Sequence, residues 1–311
     1  MPDHPVPPVR TLSAREAGVT AQTLYEGVPP HLDRPLRDWA REFITASLAQ
    51  RVALRMRSTT IRSELREALD ATQGRSGHLI EKLDGPRLLD AIDLSLQLDQ
   101  QLASERDELA MATEAGQVIH YSLERLDAAR ALDRVLRDGD SIYTVTVSEQ
   151  RPALPTMLIR RVDATVTAAA EHTITAAPPT AATLLRDAWN RTYGLHPDPT
   201  PAYHAAVRAV EEIACPLVIP NDDAGTLGKV ISCLRQGGHK WAFTLVDRDG
   251  ADTVDPLVAM LNRLWTGQIS RHGGGKNSDE QSRAEAVAAV HLAVALVQLL
   301  GTGALTRRAT S

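Results

Sequence analysis

The sequence predicts a mainly α-helical protein with one small β element, and two observations indicate this fold class. Aromatic residues make up only 4% of the 311 residues, so the core must be built from Leu, Val, Ile and Ala. That composition suits packed helices better than a β-sandwich, whose strands favour aromatic and β-branched side chains. Apolar residues also recur at helical spacing along most of the chain. We therefore predict a helical N-terminal region with a small β-hairpin, followed by a bundle of four to five helices.

Three segments are predicted from composition and periodicity. Residues 1–22 are rich in Pro, Ala and Thr and are expected to form a disordered tail. Residues 23–176 are predicted to form a mainly helical N-terminal domain. Residues 177–311 are predicted to form the helical bundle. The boundary is placed where a Thr/Ala run ends in Pro178 and Pro179.

The N-terminal domain is predicted to combine several helices with one hairpin. Asp33 can cap a helix that continues to about Met56, with Pro35 in its first turn. The segment 141–147 alternates with period two and is rich in β-branched residues, so it predicts a strand. The segment 156–162 is its expected partner, which gives a hairpin near 141–162. The further helices of this domain are predicted at 61–69, 86–102 and 123–137.

The C-terminal bundle is predicted from apolar stripes that Pro and Gly residues separate. Pro216 is expected to end the helix that begins at 202, because proline lacks the backbone N–H that a helix interior needs. The type of the short apolar segment 241–246 is left open. The five helices of the bundle are predicted at 181–193, 202–215, 226–234, 256–270 and 279–300.

Charge and composition exclude several classes of protein. The net charge is −5, which excludes binding to nucleic acid or membrane through bulk positive charge but leaves room for a local basic site. Cys215 and Cys233 make no disulfide framework and indicate small buried side chains in a reducing cytosol. The apolar stretch 284–300 is shorter than the ~20 residues of a membrane span, and no secretory signal is visible. We expect a cytoplasmic protein without a membrane segment.

No familiar catalytic motif is present. HExxH, GxSxG, GxGxxG and metal-spaced Cys/His clusters are absent from the sequence, so we expect no metal site, no cofactor and no serine nucleophile. A phosphate-binding loop is excluded around Lys229, since Asp223 occupies the first glycine position and Val230 the Ser/Thr position. Lys229 is instead expected to be solvated at a helix start. His291 is predicted to be a hydrogen-bonded histidine of the final helix.

Arg271 and His272 are the candidate catalytic residues. They stand at the predicted end of a helix, just before a run of three glycines. Arginine presents a planar fork of donors that suits a phosphate, and histidine can move a proton near neutral pH. Together they could hold a scissile phosphate and activate a ribose 2′-hydroxyl without a metal. The same pair also suits a helix C-terminus, where cations meet the negative end of the dipole and Gly273 makes a left-handed turn.

The order of four segments in the C-terminal half resembles a known family. The segments are AYHAAVRAVEEIACPLV, TLGKVISCLRQ, PLVAMLNRLWTGQISRHGGG and EAVAAVHLAVALVQLL. Their order is similar to that of the HEPN superfamily, specifically the C-terminal domain of abortive-infection proteins. The resemblance covers about residues 180–300. It implies a helical bundle that forms a homodimer and is often a metal-independent endoribonuclease, used as a toxin or in phage defence.

The resemblance also implies roles for four residues. The family's site is an Arg, usually followed by a polar residue, then four to six residues and a His. Arg271 with His272 matches the first part, but Lys276 and the two residues after it stand where the family has its histidine. Arg263 precedes His272 by eight intervening residues, which is too many for the pattern. In an active version of this degenerate site Arg271 would hold phosphate and His272 would transfer the proton, while Lys276 and Arg263 would bind nucleic acid.

The function predicted from these observations is a phage-defence protein that acts on RNA, as an endoribonuclease if the degenerate site is active. The alternative is a non-catalytic sensor or adaptor, which the negative net charge and the missing histidine favour. Its bundle would serve dimerisation or nucleotide binding, and its N-terminal domain would contact a protein partner. A third possibility is an accessory protein of a phage or mobile element with no catalytic role.

Overall fold

The computed structural model describes residues 24–56, 77–110, 115–146, 156–268 and 280–308. Within these residues the chain is mainly helical, with two small two-stranded sheets, which confirms the predicted fold class at this coarse level. The tail predicted at 1–22 and the helix predicted at 61–69 lie outside the described residues.

The helices and strands are numbered in chain order. The helices are α1 (Pro30–Phe43), α2 (Ala46–Arg55), α3 (Gly77–Lys82), α4 (Gly85–Ala110), α5 (Ala115–Asp138), α6 (Ala164–Ala176), α7 (Pro179–Tyr193), α8 (Pro199–Val218), α9 (Leu227–Gly237), α10 (Asp255–Thr266) and α11 (Arg283–Gly301). The strands are β1 (Tyr143–Val145), β2 (Leu158–Arg160), β3 (Trp241–Phe243) and β4 (Leu305–Arg307).

The chain divides into two compact units. The first unit contains the residues up to 92 together with 130–144, and the second contains 93–129 together with the residues from 145 onward. The division therefore falls within α4, within α5 and within β1. Helix α6, which precedes residue 177, packs on α7 and α11 inside the second unit.

The first unit has an apolar core contributed by α1, α3, α4 and α5. The prediction of one helix from Asp33 to Met56 was wrong, because the backbone is extended at Ile44 and Thr45 and a new helix begins there. The Thr45 hydroxyl accepts a hydrogen bond from the backbone N–H of Leu48 and caps α2. Asp33 lies inside α1 rather than at its cap, and it pairs with Arg37. The core residues are Leu32, Leu36, Trp39, Ile80, Leu88, Leu132 and Leu136.

The second unit is built around α8. This helix packs against α7, α9 and α11, and α10 packs against α9 and α11. Pro216 does not end α8 as predicted, since the helix continues to Val218. A proline removes its own hydrogen bond to the preceding turn and its ring crowds the carbonyl there, which can kink a helix without ending it. Buried Val218 keeps the last residues packed on the core.

Both sheets are short. The predicted strands at 141–147 and 156–162 are present as β1 and β2, which form one sheet, and the backbone N–H of Thr146 donates to Met157 O at 3.0 Å. The segment 241–246, whose type was left open, contains β3. This strand pairs antiparallel with β4, so that Trp241 lies opposite Arg307. Its partner lies more than sixty residues away along the chain, so no local pattern could indicate the pairing.

Candidate functional site

The candidate site lies on the connection between α10 and α11. Three of its predicted residues, Arg271, His272 and Lys276, lie outside the described residues. Arg263 is described, and its side chain is exposed in the last turn of α10. The backbone N–H of Gly267 donates to Arg263 O at 3.1 Å and ends the helix there. Arg263 therefore lies at the end of α10 from which this connection leaves, and α10 is shorter than the predicted 256–270.

The two ends of this connection are joined through Gln281. Its side-chain Nε2 donates to Gly267 O at 3.1 Å, and its backbone N–H donates to the hydroxyl of Thr200 at 3.0 Å. Only 3% of Gln281 is exposed. We name Thr200, Tyr203, Gly267 and Gln281 the loop stem. It fixes the points at which residues 268–280 leave α10 and enter α11.

Tyr203 and Gly267 make the tightest contact of the loop stem. The Tyr203 hydroxyl donates to Leu264 O at 3.0 Å, which ties the end of α10 to α8. A Cβ atom at Gly267 would overlap this hydroxyl oxygen and would lie 3.1 Å from Arg263 O. Glycine is therefore required at this position for lack of space, because its backbone angles are ordinary (φ −74°).

The start of α11 is fixed by a capping box. The Ser282 hydroxyl accepts from the N–H of Glu285 at 3.2 Å, and a Glu285 carboxylate oxygen accepts from the Ser282 N–H at 2.7 Å. The hydrogen bond from the Ser282 side chain to the carboxylate holds the pKa of Glu285 below its usual value. This cap explains why α11 begins at Arg283 rather than at the predicted 279.

Charges of both signs flank the loop stem. Arg263 is exposed on the α10 side and Arg283 on the α11 side. Glu280 and Glu285 are also exposed at the start of α11. The described part of the site is thus not uniformly basic. A phosphate group would depend on the cations of the connection itself for most of its attraction.

Lys229 lies at the start of α9, as predicted, but it is held by neighbouring oxygens. Its Nζ donates to Asp222 Oδ2 at 2.8 Å and to Ala224 O at 3.0 Å. The hydrogen bond from Lys229 lowers the pKa of Asp222. Thr226 caps the helix through its hydroxyl. These contacts assign Lys229 a structural role in closing the turn before α9.

His291 is a hydrogen-bonded histidine of the final helix, as predicted. Its Nε2 lies 2.6 Å from the hydroxyl of Tyr193, and its ring meets Trp189 edge-on. Burial lowers the pKa of His291 and raises that of Tyr193.

Two further kinds of candidate group in the described residues, a reactive thiol and a metal-binding cluster, find no support. Burial, with a contribution from the charge of Glu211, raises the pKa of Cys215 to about 11, so its thiol is protonated near neutral pH and a poor nucleophile. No three His, Cys, Asp or Glu side chains of the described chain are grouped so that they could hold a metal ion. Of the helices that the structure describes, α11 alone is long and apolar enough to cross a bilayer, a property that core helices of soluble proteins share.

Comparisons with known proteins found no relative. No family model matches the chain, and no curated protein or solved structure matches it. The function must therefore be inferred from the loop stem, the residues on the connection that it anchors, and the order of segments in the sequence.

Proposed function

We propose that this protein acts on RNA as a metal-independent endoribonuclease of the HEPN type, in defence against phage. Arg271 holds the scissile phosphate, His272 transfers the proton, and Lys276 and Arg263 contact the RNA backbone. The observation that supports this proposal best is the loop stem. It anchors both ends of the connection that carries the first three residues, and Arg263 lies exposed at its base.

The chemistry requires only these side chains and the RNA. His272 removes the proton of a ribose 2′-hydroxyl, and the resulting oxygen attacks the adjacent phosphorus. The bond from phosphorus to the 5′-oxygen of the next nucleotide breaks, and this oxygen takes the proton from the His272 imidazolium. The guanidinium of Arg271 pairs with the phosphate oxygens as charge develops on them. The products are a 2′,3′-cyclic phosphate and a 5′-hydroxyl end.

A loop suits this role when a rigid scaffold fixes its ends. Buried Gln281 and Tyr203 supply that rigidity through hydrogen bonds to backbone oxygens of the α10 end. In the proposed homodimer, two such loops would meet across a twofold axis and form one longer RNA-binding surface.

The proposal is tested by cleavage of end-labelled single-stranded and hairpin RNA, with and without EDTA. We expect cleavage by the wild type in EDTA and cyclic-phosphate product ends. Arg271→Ala and His272→Ala should each lose roughly 100-fold or more in rate, the scale of general acid–base contributions. Arg235→Ala is the matched control, because Arg235 is also an exposed arginine in the last turn of a helix, in this case α9. Equal rates for all four proteins would contradict the proposed roles.

The mixed charge at the loop stem supports a second candidate, a non-catalytic adaptor. Exposed Glu280 and Glu285 oppose the attraction that Arg263 and Arg283 offer to RNA, and the whole chain carries a net charge of −5. In this case the bundle dimerises or binds a nucleotide, and the N-terminal region contacts a protein partner. Expression in a host distinguishes the two candidates. A nuclease stops growth and His272→Ala relieves the arrest, whereas an adaptor alone leaves growth unchanged.

A further inference from the structure

A groove of about 360 Å³ lies between α6, α7 and α11, within the second unit. It shares no residue with the loop stem. Alanine, valine, threonine, histidine and glutamine side chains line it on the α6 and α11 sides, and a tryptophan of α7 also lines it. The residues that matter here are Ala169, Thr173, Trp189, His291, Ala295 and Gln298.

Among the described residues that line this groove, one buried side-chain polar atom has no hydrogen-bond partner. The Thr173 hydroxyl donates to Gln298 Oε1 at 2.6 Å, and His291 is hydrogen-bonded to Tyr193. Trp189 is fully buried, and its indole N–H has no acceptor in the described part of the chain. Buried N–H groups nearly always have a partner in folded proteins. The indole N–H of Trp189 is thus a donor for which the described residues supply no acceptor.

The groove carries no fixed charge among the described residues, and its titratable lining groups are His172 and His291. The residues that line it include no Asp, Glu, Lys or Arg. Burial lowers the pKa of the His291 ring, so that this imidazole is neutral at physiological pH. A charged molecule would lose its hydration in such a site without gaining an opposite charge. The lining therefore offers a charged molecule no carboxylate, ammonium or guanidinium partner, which favours a neutral one.

We propose that this groove binds a small, neutral, mainly apolar molecule whose carbonyl or similar acceptor pairs with the indole N–H of Trp189. The volume lies within the roughly 300–1,000 Å³ that small-molecule sites occupy. Ala169 and Ala295 leave room for the ligand on opposite walls, and Val166 and Val294 add apolar surface. Solvent does not reach the N–H, so the ligand displaces part of the lining, and half-buried Gln298 has the rotatable bonds to move. This site is independent of the proposed action on RNA.

The probe for this proposal is prodan, a neutral naphthalene that carries a propionyl carbonyl and whose emission moves to the blue in apolar surroundings. We expect saturable binding to the full-length wild-type protein. Ala295→Trp fills the groove and should weaken binding at least about tenfold. Ala288→Trp is the matched control, because Ala288 is also an exposed alanine of α11 but does not line the groove. Absence of saturable binding, or equal weakening in both variants, overturns the proposal.

A second comparison tests the donor. The same naphthalene without its propionyl group should bind the wild type several-fold more weakly than prodan does. Trp189→Phe keeps an aromatic ring but removes the N–H, and should abolish this difference between the two probes. If the two probes bind the wild type equally, the pairing with Trp189 is wrong. Circular dichroism confirms that each variant is folded, and the Ala295 and Ala288 pair decides the location of the site even if Trp189→Phe does not fold.

Discussion

The loop stem and the groove differ in how their buried polar groups are paired. In the loop stem, Gln281 and Tyr203 are buried and each donates to a backbone oxygen at the end of α10. In the groove, buried Trp189 has an N–H without an acceptor among the described residues, and the walls carry small side chains. A fully paired buried network rigidifies the chain around it. An unpaired donor beside an open volume serves a different purpose, because an acceptor from outside the described chain can complete it.

One helix connects the two regions. Gln281 and the capping box lie at the start of α11, while His291, Ala295 and Gln298 lie further along the same helix and face the groove. The start of α11 therefore fixes the connection, whereas its later residues leave space between helices. The predictions below separate these tasks by their effects on stability.

The largest effect is expected from Gly267→Ala in the loop stem. Its Cβ would overlap the hydroxyl oxygen of Tyr203, and forced overpacking of this kind costs about 1–3 kcal/mol in the free energy of unfolding. Tyr203→Phe removes the oxygen, so the double variant should lose less than the sum of the two single losses. Urea unfolding measures all three.

Gly301→Ala is the matched control for this contact. Gly301 also lies at the end of a helix, but a Cβ atom there meets nothing within 4 Å. Its replacement should leave the free energy of unfolding almost unchanged. If Gly267→Ala and Gly301→Ala cost the same, the close approach of Tyr203 does not matter for stability.

The helices of this molecule were predictable because their signals are local. Apolar stripes and proline or glycine boundaries placed α7 through α11 to within a few residues, and a histidine on the final helix was correctly expected to be hydrogen-bonded. Local signals failed where packing outweighs them. The break at Thr45, where the hydroxyl caps a new helix, and the passage of α8 through Pro216 were both missed.

The site was predictable only in part, for a related reason. The sequence indicated that Arg263 lies near the end of a helix beside this connection, but it gave no sign of the contacts made by Tyr203 and Gln281. The partner of Tyr203 is 61 positions away, and Gln281 bonds a residue 81 positions away. No motif marks a tyrosine or a glutamine whose role exists only after folding. The groove was missed for the same reason, because three separate helices create it.

A smaller effect should separate the two glutamines that serve these regions. Gln281→Ala removes the bond to Gly267 O from a buried site and should lower the free energy of unfolding by about 1–2 kcal/mol. Gln298→Ala should cost less, under about 1 kcal/mol, because Gln298 is half-exposed and the Thr173 hydroxyl can donate to Ala169 O at 2.9 Å instead. Urea unfolding measures both. Limited proteolysis between α10 and α11 should accelerate only in Gln281→Ala, and equal acceleration in both would contradict the assigned role of the loop stem.

The smallest effect distinguishes the two regions by the pH at which each loses stability. In the groove, the pKa of His291 is lowered from 6.5 by burial, so the unfolded chain binds this proton first as the pH falls. The stability contributed by neutral His291 is therefore present above about pH 6.5 and declines below it. In the loop region, the pKa of Glu285 is lowered from 4.5 by its bonds to Ser282. Its contribution is complete above about pH 4.5 and is lost as the pH falls through the folded value.

Two variants test this separation, with the free energy of unfolding measured from about pH 7 down to about pH 3.5. His291→Gln should flatten the dependence on pH that begins below about pH 6.5. Glu285→Gln retains the capping geometry without the charge and should flatten only the range below about pH 4.5. Burial also lowers the pKa of His204. His204 is present in both variants, so its effect on the pH dependence of stability is the same in each. If Glu285→Gln instead altered the slope near neutral pH, the capping box would be coupled to the groove along α11, and the two regions would have to be treated as one.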